Sequence, residues 1–176
     1  MRKIKKVVIT AAGIGSRVLP WSKSVSKEML PVIVKTGKGR FIKPFIQFVF
    51  EKLYENGIDE FCFVIGRNKA ELINHFSPDW KLVDLLEESG KTEIAQELKR
   101  FYEMIESSEI FWILNPNSRG FGHSVLAAEP FVGEKPFVVC ASDVWVTSKD
   151  FLKRAEKMFF SNSASATLIL KKVRNW

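Results

Sequence analysis

Five short apolar runs recur along the chain, and the stretches between them carry apolar residues at helical spacing. "KKVVIT" (Lys5–Thr10), "EFCFVIG" (Glu60–Gly66), "EIFWILN" (Glu109–Asn115), "PFVVCAS" (136–142) and "SATLILKKV" (165–173) read as strands. Between them, Lys43–Gly57 places apolar residues at Phe45, Ile46, Val49, Phe50 and Leu53 and closes on Asn56-Gly57 as a helix C-cap. Three further helices are expected, over 68–76 with Asn68 as N-cap, over 122–132 cut short by Pro130, and over 148–160. Strands that are apolar on both sides must be covered on both sides. The alternation therefore predicts an α/β fold with a doubly wound, mostly parallel sheet.

One stretch departs from the alternation. Residues 79–108 read as two amphipathic helices broken at Ser89-Gly90, inserted between the second helix and the third strand. The apolar positions Leu82, Leu85, Leu86, Ile94, Leu98, Phe101 and Ile105 suit packing onto the body or onto a partner. With 176 residues, the chain is expected to form one domain over 1–176 that carries this helical insertion.

Composition removes several classes of function. No apolar run approaches the roughly 20 residues of a membrane span, and the apolar part of the N-terminus is too short for a signal peptide, so a cytoplasmic protein is expected. Cys62 and Cys140 sit inside strand-like runs and read as buried, reduced thiols. The net charge of +7 is spread along the chain without any finger, helix-turn-helix or interleaved aromatic motif. A basic surface serving a phosphorylated small molecule fits this pattern, and nucleic acid is not an expected partner.

The first strand opens into "AAGIGSRVLPWSKSVSKEMLP" (Ala11–Pro31), longer than a simple turn requires. Ligands of open α/β sheets sit at the carboxyl ends of strands, where this loop lies. A P-loop would need Lys and Ser or Thr after its last glycine, and Gly15 is followed by Ser16-Arg17. A dinucleotide fingerprint would need a third glycine where Val18 stands, and Leu19-Pro20 opposes a helix start. What remains is a glycine turn wrapping a nucleoside triphosphate. Ala11, Ala12 and Gly13 admit close approach to the main chain, and the amides of Gly13–Arg17 can form an anion-binding concavity. Arg17 offers a fork of donors and Lys27 a point charge.

This loop resembles the signature of the sugar-1-phosphate nucleotidyltransferases, a glycine-rich turn with Arg followed by Lys before Leu-Pro. "KPFIQFVFEKLYENGIDEFCFVIGRNK", "LLEESGKTEIAQEL", "GFGHSVLAAEPFVG" and "PFVVCASD" agree in order, and "GRNK" and "GFGH" resemble the uridylyltransferase subgroup. The resemblance implies a Rossmann-like nucleotidyltransferase fold and a Mg²⁺-dependent reaction of UTP with glucose 1-phosphate, giving UDP-glucose and pyrophosphate. It implies that Ala11, Ala12, Gly13, Gly15 and Ser16 meet the nucleotide. Arg17 would contact the departing pyrophosphate, Lys27 a reacting phosphate, and Glu28 the base. Gly120 and Gly122 would form a second nucleotide turn, Asn115 or a neighbour in "NPNSR" would stand where the subgroup reads uracil with Gln, and Asp143 would hold the metal. Read on its own residues, without the resemblance, Asp143 is more readily a turn or capping residue than a metal ligand.

Three departures bear on these expectations. Ser16 stands for Thr, Ser26 for the subgroup's Pro, and the family's aspartate pair is Asp143-Val144. A thymidylyltransferase-like specificity and a non-catalytic nucleotide-binding homologue stay open beside the uridylyltransferase. Members of the family continue beyond "SATLILKKVRNW" with a sugar pocket, a Glu-Lys pair and a second metal-binding aspartate. Self-association, or a separate chain carrying the missing half, is therefore expected.

Overall fold

Strand β1 (Lys6–Ala11) is an inner strand of the sheet, with Val7, Ile9 and Ala11 buried on one face and Val8 on the other. The computed structural model describes residues 3–144, 146 and 148–170. After β1, three single 3-10 turns (Ser16–Val18, Trp21–Lys23, Lys27–Met29) lead into a hairpin of β2 (Pro31–Thr36) and β3 (Gly39–Pro44). The chain then runs through α1 (Phe45–Glu55), β4 (Glu60–Ile65), α2 (Ala70–His75), α3 (Trp80–Glu88), α4 (Thr92–Glu106) and β5 (Glu109–Leu114). Helices α5 (Phe121–Leu126) and α6 (Glu129–Val132), strand β6 (Val138–Ala141) and helix α7 (Phe151–Ser161) follow.

The main sheet has the order β5-β4-β1-β6, with every pair parallel. Its two faces are unequal. One buries Val7, Ile9, Phe61 and Phe63 beneath α1, α2 and the α3–α4 pair, with Phe50, Phe76 and Phe101 meeting edge to face. The other buries Val8, Cys62 and Val64 under Ala128 and Val132 around α6. The sheet is doubly wound as the strand pattern predicts, but the second cover is thin and leaves Phe111 and Val139 exposed.

The inserted helices exist and break at Gly90, whose φ of 74° favours glycine. They pack onto the body, since Val83, Ala95, Phe101 and Ile105 join the main core, with Leu86 and Leu98 against it. Leu82, Leu85 and Ile94 stay exposed. Helix α1 ends as expected, with Gly57 at φ 94° while Gly57 N–H and Ile58 N–H donate to the carbonyls of Tyr54 and Leu53.

Four expectations are corrected. Asn68 does not cap α2: it takes a positive φ of 55°, which Asn tolerates, and Lys69 occupies the cap position. Pro130 does not end a helix, because the helical stretch divides at Ala127-Ala128. Pro130 lies in the first turn of α6, where its missing N–H costs no hydrogen bond. The run at 165–173 forms no strand over its described part, 165–170, where Leu168 and Leu170 are exposed without a ladder partner; 171–173 lie outside the described residues. Cys140 is half-buried because β6 is an edge strand, although burial still pushes both thiols up to about 11. Among the described residues no helix is long and apolar enough to cross a membrane.

Candidate nucleotide site

Parallel pairing puts the carboxyl ends of all four main strands on one edge, with Ala11 beside Ile65, Ile65 beside Leu114, and Thr10 beside Ala141. Each expected contact residue follows one of these ends or lies on the loop that begins there. Ala11 is buried as the last residue of β1. The carbonyl of Ala12 lies so close to Gly66 that a Cβ on Gly66 would sit 2.9 Å from its oxygen. Only glycine lets the end of β4 support the start of the loop this tightly.

Gly13 is exposed, with open space where a side chain would stand. Gly15 adopts φ 67°, and its carbonyl accepts from Ser22 Oγ at 2.8 Å, which folds the loop back on itself. Among the described residues, the amides of Gly13, Ile14 and Gly15 donate to no protein acceptor. Ser16 and Arg17 are exposed on the 3-10 turn that follows, and no carboxylate among the described residues pairs with Arg17.

The far end of the loop returns to the same edge. Lys27 Nζ lies 2.7 Å from Asp143 Oδ2, although the two residues are 116 positions apart. The Asp143 side chain is 57% exposed and that of Lys27 25%, so the pair sits at the surface of this edge. Glu28 departs from the expectation. It is 1% exposed, and its carboxylate accepts from Lys69 Nζ at 2.5 Å and Ser142 Oγ at 3.1 Å, facing the protein and not the open side. Beside it, Ser26 donates both its amide and its hydroxyl to Glu71 Oε1. Burial raises the Glu71 carboxyl, but the bonds from Ser26 and from Glu71's own amide, with the charge of Lys69, together hold the group below its ordinary value.

A second turn follows β5. Asn115 is buried, its amide N–H bonded to the Ile65 carbonyl at 2.8 Å and its side chain 3.2 Å from His123 Nδ1. Gly120 has φ 117°, and its carbonyl accepts from Ser118 Oγ and from the Ser124 amide. Gly122 lies in the first turn of α5 with open space around it. Arg67, just after β4, holds this turn by donating to the Pro116 carbonyl and Asn117 Oδ1.

The structure brings together Lys27 with Asp143 and Glu28 with Ser142, and it sets Asn115 inside the second turn. Sequence reading passed over Gly66, Lys69, Glu71 and Ser142. The quoted motif "GRNK" contains the signal for Lys69, but its buried partner is 41 positions away. Among the described residues no three acidic, His or Cys side chains cluster to hold a metal, and Asp143 is an exposed acid paired with Lys27 at the carboxyl edge.

This geometry has counterparts. Residues 6–175 match the model of the nucleotidyl transferase family. A UTP–glucose-1-phosphate uridylyltransferase 2 from Staphylococcus saprophyticus is 36% identical over 148 residues, which cover 84% of this chain and 47% of the relative. A UTP–glucose-1-phosphate uridylyltransferase from Bacillus subtilis is 36% identical over 143 residues, 81% of this chain and 45% of its own. Among solved structures, a UTP-bound UDP-glucose pyrophosphorylase from Acinetobacter baumannii superposes with a TM-score of 0.77 at 33% identity, covering 92% of this chain and 54% of that one. A UDP-glucose pyrophosphorylase complexed with UDP-glucose gives 0.71 at 29% identity, covering 91% and 55%. The chain thus spans about half the length of the relatives it matches. A parallel sheet whose carboxyl edge carries a glycine turn, together with a family match over nearly the whole chain, leads to one assignment: this chain belongs to the nucleotidyl transferase family.

Proposed function

We propose that the chain binds UTP with Mg²⁺ at the carboxyl edge of its sheet and forms the nucleotide half of a uridylyltransferase acting on glucose 1-phosphate. The observation that carries this reading is the meeting of Lys27 and Asp143 across 116 residues beside the glycine loop. A cation and a hard oxygen ligand side by side suit a triphosphate and its metal. In the reaction, a phosphate oxygen of glucose 1-phosphate bonds to the α-phosphorus of UTP, the bond from that phosphorus to the α–β bridging oxygen breaks, and pyrophosphate leaves.

The chain's own groups have distinct tasks in this reading. The unpaired amides of Gly13–Gly15 and the exposed Arg17 bind the β- and γ-phosphates and take up the charge that grows on the leaving pyrophosphate. Lys27 leaves Asp143 for the α-phosphate. The open backbone at Gly13, Gly120 and Gly122 lets the nucleoside lie against the chain, with Asn115 at the base. Glu28 acts from beneath by fixing the turn that carries Lys27. Asp143 is the residue that would hold Mg²⁺, because its carboxylate is a hard oxygen ligand on the same edge as the glycine loop. Mg²⁺ bound there supplies charge neutralisation on the phosphoryl oxygens. The match spans about half of the relatives, so the roles assigned here are those of the nucleotide side alone.

Calorimetric titration with UTP in Mg²⁺ tests the reading. Arg17→Ala/Lys27→Ala is expected to weaken binding by about a hundredfold, the size of two charge-assisted contacts. Equal affinity in the wild type and the double variant contradicts it.

A further inference from the structure

We propose that Lys69 is a positioning residue for the nucleotide site, acting through the buried Glu28 carboxylate to hold the 26–29 turn, and with it Lys27, against the end of β6. The inference rests on the nucleotide reading and assigns that site a support that no contact residue supplies. Lys69 is itself buried, and its ammonium pairs with Glu28 Oε2 while Ser142 Oγ donates to Oε1. A carboxylate this deep stays in place only while a counter-charge and hydrogen bonds satisfy it.

The neighbouring contacts show what the pair holds. Ser26, one residue before Lys27, is fastened by amide and hydroxyl to Glu71, and Glu28, one residue after, is fastened to Lys69. Both anchors come from the start of α2. On the opposite side Ser142 meets Glu28 and the next residue, Asp143, meets Lys27, so two adjacent rungs join the turn to the end of β6. Lys27 is the outward residue between two inward ones. Its ammonium can face Asp143 only while residues 26 and 28 stay inward. The positive φ of Asn68 belongs to the same device, because the chain reverses there just before Lys69 enters the interior.

Two amides report the turn without any nucleotide: Met29 N–H donates to the Ser26 carbonyl at 2.9 Å, and Leu30 N–H to the Lys27 carbonyl at 3.1 Å. Hydrogen exchange at these amides and the dissociation constant for UTP with Mg²⁺ are to be measured in the wild type, Lys69→Met and Lys69→Met/Glu28→Gln. In Lys69→Met, exchange at both amides is expected to rise, and UTP affinity to fall, by about tenfold or more. The neutral amide in the double variant needs no counter-charge and is expected to restore both quantities to within about threefold of the wild type. Unchanged exchange in folded Lys69→Met, unchanged UTP affinity despite faster exchange, or no rescue by Glu28→Gln overturns the proposal. Should Lys69→Met not fold, Ser142→Ala removes one hydrogen bond only; faster exchange at Met29 and Leu30 supports the proposal and no change overturns it. A wild type that binds no UTP defeats the nucleotide reading, while the exchange measurements still decide whether Lys69 holds the turn.

Discussion

His75 is packed against the rings of Phe76 and Phe101, with centroids at 5.7 and 5.1 Å, and its Nε2 lies 3.0 Å from Gln47 Oε1. An amide oxygen only accepts, so the imidazole is the donor. Burial lowers its pKa from 6.5 to about 4. The folded protein therefore keeps His75 neutral while the unfolded chain takes up a proton between these values. Stability contributed by the neutral ring is complete above pH 6.5 and is lost as pH falls toward 4, by on the order of 2–3 kcal/mol. Urea midpoints across that range should fall in the wild type and fall less in His75→Gln. At this scale the sequence was legible as far as candidates, where one residue type answers one chemical need. Arg17 and Lys27 stood out because cations on a glycine loop suit phosphate. Glu28 misled because a motif marks a residue without saying which way its side chain points, and burial against Lys69 and Ser142 turned it inward.

Among the elements, the β2–β3 hairpin is the one that the reading passed over. Its strands pair from Pro31 with Pro44 to Thr36 with Gly39 and leave Gly37-Lys38 as a two-residue loop. That spacing, with apolar residues on both sides, is a hairpin signal that the helix-strand alternation overshadowed. Ile33 and Ile42, opposite each other, are 72% and 74% exposed, so the inward face (Val32, Val34, Phe41) fixes the register. Lys43 fastens the hairpin to the body. Its buried ammonium meets both oxygens of Glu51 on α1, at 2.8 and 2.7 Å, and Glu97 on α4. Lys43→Met leaves two buried carboxylates without a counter-charge and is expected to cost about 3–5 kcal/mol in urea unfolding. Lys52→Ala, which breaks the exposed pair with Glu55, is expected to cost less than about 1 kcal/mol. Similar losses in the two variants would contradict this account of the clasp. Both acids of the clasp were visible as letters, but a contact spanning 54 residues leaves no local pattern.

For the whole molecule, strand alternation was enough to give the parallel sheet, and a parallel sheet collects its strand ends on one edge. The site follows from that geometry, since the β1 loop, the turn after β5 and Asp143 after β6 could not be neighbours in an antiparallel sheet. A groove of about 1120 Å³ lies beside β6, lined by Val138, Cys140, Leu152, Phe159 and Leu168. It is mainly apolar and lies where the run at 165–170 forms no strand. In the proposed function the carboxyl edge, and not this groove, receives the nucleotide. Hydrogen exchange across the chain, with and without UTP and Mg²⁺, tests that claim most directly. Slower exchange is expected at residues 11–18 and 118–124, with no change along α7. Protection confined to the groove, with the glycine loop unaffected, would contradict it.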